Sequence, residues 1–157
     1  MKIVFASVGK AHEPYVKEGI ADFTQRVNKY FKAEWQLFPA PKNAASMSEQ
    51  DLKKAESALI LQFLQKEDYL VLLDERGKQF SSPALAQFIQ QRANESAKRV
   101  VLLIGGAFGV DELISQRADF TWSLSPLVFP HMLVRLLLSE QTYRACTILR
   151  NEKYHHM

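Results

Sequence analysis

The chain has one cysteine, Cys146, among its 157 residues. No disulfide can close within it, and a metal centre built from cysteines is equally excluded. Cys146 sits in an apolar helical stretch and reads as a small buried hydrophobe, not a nucleophile. No His, Cys and Asp cluster suggests a metal, so none is expected. Long hydrophobic runs are also missing. The longest nearly uncharged stretch, Phe120 to Val134, is broken by Pro126 and Pro130 and stops at Arg135, too short to span a bilayer. The opening residues Met1 to Ala6 are apolar but carry no extended hydrophobic region followed by a cleavage site, so they read as a strand and not a signal. A soluble, cytoplasmic protein with no membrane partner is the expectation. Lys and Arg never gather into a basic run, so the net charge of +3 and the pI of about 9.0 point only weakly to an anionic partner. Neither a GxGxxG fingerprint nor a GxxxxGK[ST] phosphate loop is present.

What is present is the composition of an ordinary globular domain, with 47% hydrophobic and 24% charged residues. Short β-rich runs alternate with helical patterns, which predicts one α/β domain over residues 1–157 with a mostly parallel sheet and flanking helices. Strands are expected at Ile3–Val8, Trp35–Phe38, Tyr69–Leu73, Val100–Ile104 and Phe120–Leu124. Between His12 and Phe31 the residues Val16, Ile20, Phe23, Val27 and Phe31 fall on one helical stripe. Ser48, with Asp51 three residues on, caps a helix to about Leu64. Glu75 to Lys78 reads as a turn, and Ser82-Pro83 as the N-cap and first-turn proline of a helix to about Ala93. A short helix over Val110–Arg117 and a long one from Pro130 to about Leu149 complete the pattern. In the long helix Arg135 is the only charge in the first two turns after His131. A helix apolar on nearly all sides is covered on all sides, and a second subunit is the natural source of cover in so small a domain.

Three loops follow the last three strands, where open α/β sheets bind ligands. Gly105-Gly106 in the second loop is either a bare tight turn or a close backbone approach to a ligand. The third loop, with Leu124, Leu127, Val128 and Phe129, is too apolar for a solvated connection. On pattern alone, packing beneath neighbouring helices is the favoured reading. The other is that its amides and carbonyls meet the edge of a purine. His131 reads as a structural hydrogen-bonder and not a base. Arg144 is either a phosphate contact or the partner of Glu140 four residues earlier.

Leu72-Leu73-Asp74-x-x-Gly77-Lys78, Leu103-Ile104-Gly105-Gly106, Trp122-Ser123-Leu124-Ser125, Phe129-Pro130-His131, Tyr143-Arg144-Ala145 and Tyr154-His155 stand in this order, after Val8-Gly9-Lys10 at the first strand's end. In this, and over the whole chain, the sequence resembles the SPOUT methyltransferases that act on large-subunit ribosomal RNA. The resemblance implies a deep C-terminal trefoil knot within about residues 70–157 and S-adenosylmethionine as cofactor. It places Leu73, Gly105, Leu124, Ser125, Pro126, Leu127, Val128 and Phe129 at the cofactor. Tyr154, His155 and His156 become the catalytic tail, and Arg135 and Arg144 the candidates for positioning RNA. The implied reaction methylates N3 of a pseudouridine in 23S rRNA of assembled ribosomes, carried out by a homodimer. Alternatives are a SPOUT enzyme acting on transfer RNA and a non-catalytic ribosome-binding or assembly factor. Two positions depart from the pattern. Ala107-Phe108 replaces more polar or proline-containing residues, and His156 stands where the tail often has arginine.

Overall fold

The computed structural model describes residues 1–156; Met157, inside the expected domain, lies outside the described residues. Five strands form one wholly parallel sheet: β1 (Lys2–Val8), β2 (Lys32–Phe38), β3 (Tyr69–Gln79), β4 (Arg99–Ile104) and β5 (Phe120–Ser123), ordered β2-β1-β4-β3-β5. The helices are α1 (Pro14–Val27), α2 (Glu49–Phe63), α3 (Ser82–Asn94), α4 (Glu112–Arg117) and α5 (His131–Leu149). A short 3₁₀ turn covers Ala44–Ser46.

Strand alternation sorts the core into two layers. Ile3, Phe5, Val71, Val100, Leu102 and Ile104 pack with Val27, Leu85, Ile89, Leu138 and Ala145, the face that carries α1, α3 and α5. Val4, Ala6, Val8, Leu70, Leu72, Val101 and Leu103 pack with Ile60 and Ile114 on the face of α2 and α4. A sheet covered on both faces explains why β4 reads as an uninterrupted apolar run. Among the described residues no helix is long and apolar enough to cross a membrane.

Several boundaries differ from expectation, each for a local reason. α1 begins at Pro14, whose ring sets the first helical φ, and ends at Val27, short of Phe31. Asn28 stops it: its side-chain amide donates to the Ala33 carbonyl at 2.8 Å and accepts from Ala33 N–H at 2.9 Å, folding the chain straight into β2. β2 is correspondingly longer than expected, paired along the full length of β1. Glu75 to Lys78 is not a turn. β3 continues through it and resumes pairing with β5 at Lys78↔Trp122 after a register shift. Gly77 permits this, because a Cβ there would lie 2.6 Å from the Thr121 backbone. The cap of α3 is Ser81, which accepts from Ala84 N–H at 3.2 Å; Ser82, expected as the cap, instead donates to Gln141 on α5 at 3.1 Å. Ser48 does cap α2, accepting from Asp51 N–H at 3.1 Å.

α5 lies between α1 and α3 against the sheet, so much of the cover its apolar surface demanded comes from its own chain. Leu133 and Leu137 remain half-buried and belong to none of the buried clusters.

Candidate active site

The carboxyl ends of β4 and β5 flank the middle of β3, where its pairing with β5 breaks between Leu73 and Lys78. This segment and the loops that leave β4 and β5 enclose a cleft of about 760 Å³. Its walls are residues 72–76, 104–110, 124, 125 and 127–129, with Trp122, His131 and Val134 completing the lining. Leu73, Gly105, Leu124, Ser125, Leu127, Val128 and Phe129, which the resemblance places at the cofactor, all line it. Pro126 shares the third loop but is not on the wall. The structure adds residues not singled out before: Trp122, Val134 and the acidic-basic run Asp74-Glu75-Arg76. That run was visible as part of a motif, but nothing in its pattern distinguished a cleft wall from a surface turn.

The third loop is shaped by Ser125. Its hydroxyl accepts from Leu127 N–H at 3.0 Å while its carbonyl accepts from Ser123 Oγ at 3.0 Å. This turns the loop outward, and it does not pack beneath neighbouring helices. Leu127 is 69% exposed and Val128 80% exposed, and across the cleft Phe108 is 52% exposed. Exposed apolar side chains rimming a cleft mark a surface built to be covered. In the second loop Gly106 accepts from Gly109 N–H at 3.0 Å, closing a turn. A Cβ on Gly105 would sit 2.9 Å from Val110 Cγ1, so glycine is required by crowding. Where the pairing of β3 with β5 breaks, Asp74 accepts from both the backbone N–H and the guanidinium of Arg76, at 2.9 and 3.1 Å. These bonds hold its carboxyl below the usual aspartate range.

His131, in the lining, shares a 2.8 Å hydrogen bond with Ser7 Oγ. Burial, then the nearby Arg135 charge, lowers its pKa and keeps the imidazole neutral, in keeping with a structural role. Arg135 corrects one expectation. It is fully buried, donating to Lys10 O at 2.9 Å, Ser7 Oγ at 3.1 Å and Val8 O at 3.4 Å, with His12 Nδ1 at 3.1 Å. An arginine enclosed by the β1–α1 turn ties α5 to the sheet and presents nothing to RNA.

The tail is not frayed. Tyr154 donates to Glu140 Oε1 at 2.9 Å and packs edge-on against Tyr143 at 4.7 Å between centroids. Arg144 pairs with Glu140, lies 4.7 Å from the Tyr154 ring centre and reaches His155 Nδ1 at 3.3 Å. Arg144 therefore has both the helix pair and contact with the tail. Burial, followed by the bond to Glu140, raises the Tyr154 phenol pKa. His156 is exposed and makes no such contact. Arg144 lies thirteen residues beyond His131, roughly 20 Å along α5 at about 1.5 Å per residue. Within one chain the tail cluster and the cleft are therefore separate, and no tail residue lines the cleft.

The model of the family described as "Predicted SPOUT methyltransferase" matches residues 1–155. Two relatives carry the name ribosomal RNA large subunit methyltransferase H. The one from Cytophaga hutchinsonii is 43% identical over 156 residues, covering 99% of this chain and 100% of its own. The one from Acetivibrio thermocellus is 39% identical over 158 residues, covering 99% of each. A solved structure of a probable methylase family protein from Haemophilus influenzae superposes on 99% of this chain and 70% of its own. Its TM-score is 0.54 at 11% identity, a likeness of fold alone. With a full-length family match and close relatives over the whole chain, this protein belongs to the SPOUT methyltransferase family.

Proposed function

We propose that this protein is an S-adenosylmethionine-dependent methyltransferase of large-subunit ribosomal RNA, acting in the cytoplasm on N3 of a pseudouridine within assembled ribosomes. The observation that carries the reading is the full-length similarity to relatives named for large-subunit rRNA methylation, joined to an open cleft at the strand ends. The residues present fit the cofactor. Leu73, Leu124, Phe129 and Val134 offer apolar walls for a purine and a thioether, and the glycine loop offers backbone at close range. Its volume of about 760 Å³ suits a nucleoside carrying an amino-acid arm.

When bound, the cofactor supplies a methyl group on a sulfonium, whose S–C bond breaks as the N–C bond forms. The chain's own part is to hold the reactants in line and remove the proton from N3. Leu73, Gly105 and Leu124 to Phe129 form the binding wall; Leu127, Val128 and Phe108 exclude water once the substrate covers them. Arg144 supplies a cation beside the tail for an RNA phosphate, and Tyr154, His155 and His156 supply the stacking and proton-accepting groups.

The separation of tail and cleft supports a homodimer in which one subunit's tail meets the other's cleft. Leu133, Leu137 and the exposed rim residues are the apolar surface available for such an interface. The C-terminal trefoil knot is supported by the path of the chain. After β5, on one edge, it recrosses the ends of β3 and β4 and enters α5 beside Ser7 of β1.

Labelled S-adenosylmethionine supplied with assembled ribosomes, free 23S rRNA and transfer RNA tests the reading. Label should enter large-subunit RNA of assembled ribosomes and appear as N3-methylpseudouridine on nucleoside digestion. Label in transfer RNA would reassign the substrate, and binding to ribosomes without transfer would leave a non-catalytic factor.

A further inference from the structure

One buried group on α2 has no part in the reading above. Glu56 is only 6% exposed. Among the described residues no hydrogen bond or ion pair engages its carboxylate, and burial alone raises its pKa above the ordinary glutamate range. A carboxylate held largely out of water with no protein donor has its charged form disfavoured, and its field is not cancelled by a partner. Its position is specific. A Cβ on Gly106 would lie 2.7 Å from both Oε1 and Oε2, so the carboxylate sits directly behind the second glycine of the cleft loop. Gly106 is itself part of the cleft wall.

The other charges near the cleft do not neutralise Glu56. Arg76 is committed to Asp74 at 2.9 Å with its side chain mostly in solvent. Arg135 lies on the opposite face of the sheet, its donors spent on Lys10 O, Val8 O and Ser7 Oγ. Glu75 adds a second acid to the wall. The cleft is open and its lining mixed, so the charge is partly screened and still acts over several ångströms.

The methyl donor and the product left after transfer differ by one methyl group and one positive charge on sulfur. Apolar walls and backbone amides cannot read that charge, Asp74 is held by Arg76, and Glu75 is exposed to solvent, which leaves the buried Glu56. We propose that Glu56 is the specificity-determining residue that does: its unneutralised carboxylate behind Gly106 makes the cleft prefer the sulfonium ligand and release the neutral thioether. The proposal rests on the cleft being the S-adenosylmethionine site.

Titration calorimetry on the full chain, at mildly alkaline pH and low salt, compares S-adenosylmethionine with S-adenosylhomocysteine. Wild type should bind the sulfonium ligand more tightly. Glu56→Gln, equal in shape and uncharged, should weaken it about tenfold, the order expected of a unit charge in a partly screened site. The thioether should change by no more than about twofold, and Glu56→Asp should restore most of the preference. Removing an unpaired buried charge should leave the thermal midpoint of the apoprotein unchanged or raised. An equal loss for both ligands would make Glu56 a prop for the loop and overturn the proposal; so would an unchanged ratio. Should Glu56→Gln fail to fold, wild type still decides: no preference for the sulfonium ligand refutes the idea. Wild type binding neither ligand would instead remove the reading of the cleft itself.

Discussion

Arg135→Met separates an anchoring arginine from one that holds RNA. Methionine keeps most of the volume and removes the guanidinium. Its loss removes a donor from the carbonyls of Lys10 and Val8, the Ser7 hydroxyl and His12 Nδ1. Ser7 keeps its bond with His131, and water can reach Lys10 and His12 only in part. Each stranded acceptor costs about 1–3 kcal/mol, less for the 3.4 Å contact to Val8, which is weak already. Relief from burying an unpaired cation returns part of this. A net loss of roughly 3–5 kcal/mol follows, and for a chain of this size each kcal/mol moves the melting midpoint by about 2–4 °C. Thermal melting followed by circular dichroism should therefore fall by about 10 °C, and urea unfolding should shift its midpoint with little change in slope. Because His131 shares Ser7 with the same network and lines the cleft, cofactor affinity should fall as well. An unchanged melting point with reduced ribosome binding and a shallower salt dependence would mean that Arg135 holds RNA and not the fold.

Gly105→Val should lose S-adenosylmethionine binding in calorimetry while keeping its circular dichroism, since the added branches crowd Val110 and the adjoining turn of the cleft loop; unchanged affinity would take this glycine out of the site. Deleting residues 154–157 should cost ribosome methylation about a hundredfold or more with cofactor affinity held, the size expected of a lost acid–base group. Because Tyr154 packs on Tyr143 and bonds Glu140, a small drop in stability should accompany it; wild-type turnover by the truncated chain would move the base elsewhere. His12 and His131 have folded pKa values below the 6.5 of the unfolded chain, chiefly through burial. The unfolded state then binds more protons as pH falls, so the stability present above 6.5 is lost below it. Glu56, raised from 4.5, acts in the opposite sense, so the difference between wild type and His131→Gln is the measure, and it should narrow below 6.5. A pH-independent difference would mean that the imidazole titrates freely in the fold.

Local patterns in the sequence were enough for the α/β class of fold. Alternating β-rich runs and helical stripes are local patterns, and burial of the sheet on both faces writes them directly into β1, β3 and β4 as apolar runs. Leu73, Gly105 and Leu124 to Phe129 are marked through the family resemblance; on pattern alone the paired glycines could be a bare turn and the third loop reads as packed beneath helices. Tertiary structure alone decided what depends on neighbours far along the chain. Asn28 ends α1 through a bond to Ala33, and β3 runs on through Gly77 only because Thr121 passes beside it. Arg135 reads as a lone charge on an apolar helix, available to RNA, until the β1–α1 turn closes over it. Glu56 reads as one more polar residue on α2 until Gly106 is found against its carboxylate. In both cases the side chain's chemistry is local, but its burial and its partners are set by segments tens of residues away, and those decide whether a charge serves as an anchor, a contact or a field.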